Sequence, residues 1–178
     1  MSGAPPRSRW SYFRLRPDWA RAVVEDAGVA RGDTVLDLGA GDGALTAPLL
    51  ARGARVLAVE QHRGRAAALR HRFAGRDLVV VEADLRDLRL PARPFRVVAN
   101  PPFHLARPLV TQLLGADLLL SADLVLRRDT ARNIAAARRR HPRFTVDAGR
   151  PVPRHAFSPA PSVDALVLQV RRGRARGR

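Results

Sequence analysis

The sequence predicts an α/β fold with a mostly parallel sheet, and three observations support this prediction. Short apolar runs alternate along the chain with segments that have helix-like patterns. The apolar runs are continuous, which is typical of parallel strands that are buried on both faces. The first run leads directly into the glycine-rich turn Asp37-Leu38-Gly39-Ala40-Gly41-Asp42-Gly43, and ligands bind at such strand ends in open parallel sheets.

The predicted elements follow in a regular order. A first helix is expected from Pro17 to Gly28, because proline favours the first helical position and glycine the end. Apolar runs predict strands at 34–38, 55–60, 78–81, 95–99, 118–126, about 143–150 and about 164–171. Intervening segments predict helices from Leu45 to near Gly53 and at 63–73, 105–114 and 129–138. Because residues 157–163 join the last two strands without a helix, these strands are expected to form an antiparallel edge pair.

The length of 178 residues suffices for one domain with a core but not for two full ones.

Residues 1–16 combine Arg7, Arg9 and Arg14 with aromatic residues. This favours an arm with little regular structure that contacts phosphates and stacks bases; an aromatic tuck under the first helix is the alternative. Residues 17–171 are expected to form the main domain, and residues 172–178 an arginine-rich tail that is disordered alone.

Charge and composition limit the possible partners. All 32 basic residues are arginine, and the net charge of +16 favours a polyanionic partner over a merely solvated cationic surface. The chain has no cysteine, which excludes disulfides, thiol nucleophiles and cysteine metal sites. The histidines show no metal-ligand spacing, and no apolar run approaches the roughly 20 residues of a membrane span. A cytoplasmic protein without metal or membrane partners is therefore expected.

The glycine turn and two later carboxylates predict a nucleoside-containing cofactor. The glycines allow a tight turn and close approach of a ligand. Glu60 ends the second strand, where a carboxylate can accept hydrogen bonds from both ribose hydroxyls. Asp84 ends the third strand, where it can accept from an adenine amino group.

The turn also fits a dinucleotide fingerprint, so the glycines alone leave the cofactor open. Asp37 and Asp42 would repel a pyrophosphate, whereas S-adenosyl-L-methionine carries a sulfonium and an ammonium that attract carboxylates. This favours S-adenosyl-L-methionine, with a helix N-cap as the alternative role for Asp37 and a turn residue for Asp84. The predicted cofactor-binding residues lie on the turn and at the strand ends: Asp37, Gly39, Ala40, Gly41, Gly43, Glu60, Gln61, Asp84, Leu85 and Asn100.

Asn100-Pro101-Pro102-Phe103 follows the fourth strand and indicates chemistry on an exocyclic amino group. The Asn100 side-chain carbonyl and the Pro101 backbone oxygen can accept its two hydrogens, so that the nitrogen lone pair points at a methyl donor. The prolines make the loop rigid and remove backbone donors. Phe103 can stack on a flipped base, a contact of about 1–3 kcal/mol. Asn100, Pro101 and Phe103 are therefore the predicted catalytic residues; a simple turn is the alternative.

These motifs, in this order, resemble the rRNA adenine N6-methyltransferase family, which includes the Erm macrolide-resistance enzymes and the small-subunit rRNA adenine dimethylases. The matching blocks are residues 37–46, Val59-Glu60, Ala83-Asp84, residues 100–103 and Phe157-x-Pro159-x-Pro161-x-Val163. The last block is the most discriminating, because many methyltransferases share the first four. The resemblance implies a Rossmann-like class I methyltransferase fold with a seven-stranded, mostly parallel sheet and S-adenosyl-L-methionine as cofactor.

The run from Phe95 to Pro102 is most similar to Erm-type members. It implies methylation of an adenine in the peptidyl-transferase loop of 23S rRNA, with macrolide–lincosamide–streptogramin resistance as the consequence. Two alternatives stay open. One is another amino-group methyltransferase, acting on small-subunit rRNA, DNA adenine or a protein glutamine. The other is a nucleic-acid-binding protein whose methylation is vestigial.

Two departures from the family pattern concern RNA contacts. The family usually opens with Gln-Asn-Phe, whereas this chain has Ser11-Tyr12-Phe13, so only Phe13 aligns. The family also adds a C-terminal helical domain after the last strand, where this chain has its arginine-rich tail; a short Erm-type form, acting as a monomer, is expected. RNA is then expected to bind the tail and arginines of the arm and of two later runs: Arg7, Arg9, Arg14, Arg127, Arg128, Arg138, Arg139 and Arg140.

Overall fold

A computed structural model describes residues 13–173, and within them the predicted α/β fold is confirmed. The strands are β1 (Arg14–Leu15), β2 (Thr34–Leu38), β3 (Arg55–Val59), β4 (Leu78–Val81), β5 (Phe95–Ala99), β6 (Leu119–Arg127), β7 (Phe144–Val152), β8 (Phe157–Ser158) and β9 (Ala165–Arg172). The α-helices are α1 (Pro17–Asp26), α2 (Thr46–Ala51), α3 (Arg63–Arg72), α4 (Ala106–Gly115) and α5 (Arg128–Arg138). Three short 3-10 helices cover Leu85–Asp87, Phe103–Leu105 and Arg154–Ala156.

Seven strands form one sheet in the order β4-β3-β2-β5-β6-β9-β7. The pairs from β4 to β6 are parallel, and β9 is antiparallel to both β6 and β7, which confirms the expected antiparallel pair at one edge. The chain runs outward from β2 to β4 and then returns to the other side of β2 as β5. The strand order therefore reverses between β2 and β5, where open α/β sheets bind their ligands.

Helices cover the two faces of the sheet and bury two apolar clusters. One cluster joins α1, α2 and α3 through residues such as Val23, Leu49 and Leu69. The other joins α4 and α5 to the opposite face through residues such as Leu113 and Ile134. In residues 13–173, no helix is long and apolar enough to cross a membrane.

The expectation that every strand is buried on both faces is wrong for β4. Leu78 and Val80 pack against the cluster that contains α3, but Val79 and Val81 are 52% and 39% exposed. These two valines are exposed because β4 lies at the edge of the sheet, where the face of the strand that does not pack on α3 is open to solvent. Its four apolar residues resemble a central strand in sequence, although within residues 13–173 the strand pairs with β3 alone.

Residues 13–16, expected from the sequence to be part of an irregular arm, belong to the folded domain. Leu15 is fully buried, and β1 pairs antiparallel with β8, so that Leu15 lies opposite Phe157. The backbone N–H of Arg16 donates to the carbonyl of Ala156 at 2.8 Å. The Phe-x-Pro block thus anchors the N-terminal strand.

The boundaries of the arm and the tail shift accordingly. Arg172, expected to begin the tail, is the last residue of β9, and its Nε donates to the carbonyl of Leu119 at 2.7 Å. Arg7, Arg9 and tail residues 174–178 lie outside the described residues.

The turn after β2 gives a test of packing. Gly43 has φ +90°, and a Cβ at this position would lie 2.8 Å from the Phe73 ring and 2.9 Å from Leu69. Gly75 has a similar φ of +77° but nothing within 4 Å of its Cβ position. Both alanine substitutions carry backbone strain, but only Gly43→Ala also overpacks the core. We expect Gly43→Ala to lower the free energy of unfolding by roughly 1–3 kcal/mol more than Gly75→Ala, measured by urea denaturation. Equal losses would contradict the packing of the turn on α3.

Candidate active site

The glycine turn after β2 touches the proline loop after β5. Gly39 has φ +77°, and a Cβ there would lie 3.3 Å from Cδ of Pro102 and 3.7 Å from Cα of Pro101. The backbone N–H groups of Gly39 and Ala40 both donate to the carbonyl of Val59, at 2.8 and 3.0 Å. The turn therefore connects the carboxyl ends of β2, β3 and β5, and only a residue without a side chain fits at Gly39 without displacing the proline loop.

Asn100 is held in one orientation by the N-terminal strand. Its Nδ2 donates to the backbone carbonyl of Phe13 at 2.7 Å. This hydrogen bond uses a donor of the amide and leaves the side-chain carbonyl Oδ1 as an acceptor. The rings of Phe13 and Phe103 lie 5.8 Å apart at an interplanar angle of 33°. Phe13, the one residue that aligns with the N-terminal family motif, thus contacts both ends of the Asn100–Phe103 loop.

Glu60 supports the turn from below and is only 3% exposed. Its Oε2 accepts from the backbone N–H of Gly41 at 2.8 Å. Its Oε1 accepts from the N–H of His62 at 2.7 Å and from Nη2 of Arg65 at 3.0 Å. Each carboxylate oxygen has two lone pairs, so Oε2 retains capacity for one further donor. Arg65 was missed from the sequence, because a surface arginine in a helix carries no motif.

Asp37 lies beneath the turn with 1% exposure and accepts from the Thr46 hydroxyl at 2.7 Å. The N-cap position of α2 is Leu45, but the Asp37 carboxylate also accepts a backbone hydrogen bond from Thr46, the first residue of that helix. Burial raises the pKa of Asp37 to about 7; the Thr46 hydrogen bond opposes this rise and the nearby Glu60 carboxylate adds to it. Thr46 is fully buried, and its partnership with Asp37 was also missed from the sequence, although it stands in the matching block.

Asp84 lies three residues beyond β4, at the N-cap of the following 3-10 helix, and its side chain accepts from Arg86 and Gln61. Arg86 donates to it through Nε at 3.0 Å and Nη2 at 2.5 Å, and Gln61 donates through Nε2 at 3.1 Å. The hydrogen bonds from Arg86 lower the pKa of Asp84 to about 2. Leu85 is buried, and its Cδ1 would lie 3.7 Å from a Cβ on Gly39. The predicted residues Gln61, Asp84 and Leu85 therefore meet at the same edge of the sheet as the turn.

Several arginines expected to contact RNA form ion pairs within the chain. Arg14 pairs with Asp42 of the glycine turn at 2.8 Å, and Arg128 pairs with Asp164 at 3.0 Å. Arg127 lies 3.5 Å from Asp129. Exposed pairs of this kind contribute about 1 kcal/mol or less, so a phosphate can compete for these guanidinium groups.

The run Arg138–Arg140 is different. These three side chains are exposed at the end of α5, and within the described part of the chain no carboxylate lies within salt-bridge distance of them. Among residues 13–173, no group of three or more His, Cys, Asp or Glu side chains is placed to hold a metal ion.

Comparisons with known proteins agree with this arrangement. The family model described as "Ribosomal RNA adenine dimethylase" matches residues 13–176. The "rRNA adenine N-6-methyltransferase" of Corynebacterium diphtheriae is 35% identical over 145 residues, which cover 78% of this chain and 57% of the relative. The "Ribosomal RNA small subunit methyltransferase A" of Bordetella avium is 35% identical over 184 residues, with 96% of this chain and 70% of the relative covered.

Among solved structures, the "23S rRNA methyltransferase ErmE" superposes with a TM-score of 0.82 at 28% identity, covering 90% of this chain and 70% of that one. The chain spans 57% of the Corynebacterium relative and 61% of the small-subunit methyltransferase A of Deinococcus radiodurans, to which it is 31% identical.

The raised pKa of Asp37 predicts a pH dependence of stability. An acid whose pKa is higher in the folded than in the unfolded protein takes up a proton on folding, so its contribution to stability falls as pH rises from about 4 to about 7. Between pH 5 and pH 8, we expect the wild type to lose about 2–3 kcal/mol relative to Asp37→Asn, which keeps an acceptor for Thr46 but cannot ionise. Urea denaturation at both pH values measures this difference. The exposed Asp87→Asn is the control, and a parallel pH dependence for wild type and Asp37→Asn would contradict the burial of a charge at this site.

Proposed function

The chain belongs to the ribosomal RNA adenine dimethylase family, and we propose that it methylates N6 of an adenine in the peptidyl-transferase loop of 23S rRNA, with S-adenosyl-L-methionine as methyl donor. Resistance to macrolides, lincosamides and streptogramins would follow. The observation that carries this proposal is the contact of the glycine turn at Gly39 with Pro101 and Pro102. It brings the predicted cofactor-binding and base-binding motifs to one edge of the sheet.

The residues at this edge fit S-adenosyl-L-methionine. Gly39 leaves space against the proline loop that a side chain would fill. Asp84 offers a carboxylate whose pKa is lowered to about 2, and Glu60 keeps one lone pair on Oε2 beyond its bond to Gly41. Carboxylates at a cationic ligand are favourable, whereas they would repel a pyrophosphate. When bound, the cofactor supplies an electrophilic methyl group on a positively charged sulfur.

The residues of the chain act on the adenine by orientation. Oδ1 of Asn100 and the backbone oxygen of Pro101 accept the two amino hydrogens, which turns the nitrogen lone pair out of the ring. Phe13 holds the Asn100 amide so that its Nδ2 points away from the substrate and Oδ1 toward it. Phe103 stacks on the base, supported by Phe13. Positioning and preorganised acceptors are the sources of rate enhancement in this mechanism.

The exposed run Arg138–Arg140 supplies phosphate contacts in this proposal, together with Arg127 and Arg128 once RNA displaces their carboxylate partners. Arginine suits this role because its planar guanidinium binds phosphate through two parallel hydrogen bonds. With ribosomal RNA as its partner, the protein is proposed to act in the cytoplasm as a monomer.

Small-subunit rRNA is the second candidate substrate. The relatives from Bordetella avium and Deinococcus radiodurans are named as small-subunit methyltransferases, whereas the name of the Corynebacterium relative specifies no subunit. The 23S proposal is supported by the superposition on ErmE and by the resemblance of residues 95–102 to Erm-type members. The glycine turn and the Asn100–Phe103 loop together form what we call the reacting edge. It suits either target, so RNA contacts outside it decide between them.

The choice of target is tested by transfer of labelled methyl groups from S-adenosyl-L-methionine to protein-free 23S rRNA, 16S rRNA and duplex DNA, followed by mapping of the modified base. We expect label in 23S rRNA only, on one or a few adjacent adenines of the peptidyl-transferase loop. Label confined to 16S rRNA would establish the second candidate instead. Cofactor binding without transfer to any of the three nucleic acids would favour a binding protein with vestigial methylation.

Asn100→Ala tests the role of the acceptor. Loss of one preorganised polar contact in the transition state lowers kcat by roughly 10²–10³-fold, and we expect a loss of this size with unchanged RNA affinity. Asn133→Ala, which removes an exposed amide on α5, is the matched control and should retain full activity. Single-turnover methyl transfer and RNA titration separate the two quantities. If Asn100→Ala transferred methyl groups at the wild-type rate, the amino group would not be held as proposed.

A further inference from the structure

A concave surface lies beside the end of the glycine turn, at Gly43 and Ala44. It has a volume of about 570 Å³ and separates β1 and the start of α1 from the glycine turn and α2. We call it the α1–α2 groove. Its accessible apolar lining includes Pro17, Ala47 and Ala51, and the buried Leu15 and Val24 lie beneath this surface. Its size is within the range of roughly 300–1,000 Å³ of pockets that hold a ligand as large as a nucleotide.

Four guanidinium groups and one carboxylate also line the groove. The cations are Arg14, Arg21, Arg52 and Arg72, and the carboxylate is Glu25. An apolar lining with a cationic rim suits a nucleotide, since the base can lie on apolar or guanidinium surface while the phosphate pairs with arginine. A simple anion has no apolar surface that could pack against the apolar part of the groove.

Two of the cations are held in place by the glycine turn. The Asp42 carboxylate forms an ion pair with Arg14, 2.8 Å from its Nε, and the backbone carbonyl of Asp42 accepts from Nη1 of Arg72 at 2.8 Å. Arg72 also lies over the ring of Phe73, 4.9 Å from its centroid. A guanidinium has five N–H donors, so each group keeps donors for a ligand while its position is already set. Less conformational entropy is then lost on binding.

The groove is continuous with the reacting edge through β1. Phe13 contacts Asn100 and Phe103, and the next residue, Arg14, lines the groove. The two sites therefore meet at adjacent residues of the chain, so one RNA strand can contact both. From Gly43 to Arg52 the groove follows α2 away from the reacting edge.

We propose that the α1–α2 groove binds a nucleotide of the substrate RNA that flanks the methylated adenine, with Arg21 and Arg52 contacting its phosphates. This proposal rests on the proposed function and extends it to a second RNA subsite.

The test compares two double variants that remove the same charge. Arg21→Gln/Arg52→Gln alters the groove at exposed positions outside the reacting edge. Arg89→Gln/Arg93→Gln alters exposed positions in the segment before β5, where Leu88 packs on the opposite face of the sheet. RNA affinity is measured by fluorescence anisotropy at several salt concentrations with a labelled RNA hairpin that contains the target adenine. Cofactor affinity and thermal unfolding are measured in parallel.

For the groove variant we expect roughly ten-fold weaker RNA binding at low salt. The slope of the logarithm of the binding constant against the logarithm of the salt concentration should be smaller in magnitude by about 1–2, since each lost phosphate contact lowers this slope by about 0.7–0.9. Cofactor affinity and unfolding temperature should match those of the control variant. Equal affinities and slopes for the two double variants would overturn the proposal. Because the titration needs no turnover, it tests whether the groove binds RNA even if the wild type does not methylate rRNA. A failure to methylate rRNA would overturn the proposed function instead.

Discussion

The parallel pairing of β2 with β5 is the constraint on which the rest of the site depends. Val35 pairs with Arg96 and Leu36 with Val97, so the two strands end at the same level. The glycine turn and the Asn100 loop, about 60 residues apart in sequence, therefore leave the sheet side by side. A one-residue change of register would move every side chain of one strand to the other face. It would also separate Gly39 from the prolines that it touches.

Much of this arrangement follows from sequence, because its elements carry local signals. Continuous apolar runs predicted the strands of the sheet, and glycine and proline predicted where β2 and β5 end. The exposed face of β4 was not predictable, since an edge strand and a central strand have the same composition here and differ only in their number of neighbours. The strand β1 was missed for a related reason: two residues, Arg14 and Leu15, form a strand only because β8 lies beside them.

The partners of the site residues were the least predictable part. Glu60 and Asp84 were expected at strand ends and lie there, but their donors Arg65 and Arg86 come from surface-like arginines that no pattern distinguishes from the other arginines of the chain. Which arginine meets a carboxylate is decided by tertiary geometry. The same is true of Arg14: its pairing with Asp42 carries no signal in the sequence.

The N-terminal strand connects the separate parts of the proposed enzyme. Its neighbour Phe13 orients Asn100 and supports Phe103, Arg14 pairs with the glycine turn, and Leu15 fixes the strand in the core opposite Phe157. A displacement of this strand would release the Asn100 amide and the glycine turn together. Binding of cofactor at the turn and of RNA at the Asn100 loop or in the α1–α2 groove would each stabilise the same strand position. Two ligands that favour one position of a shared element bind cooperatively, because the cost of ordering that element is met only once.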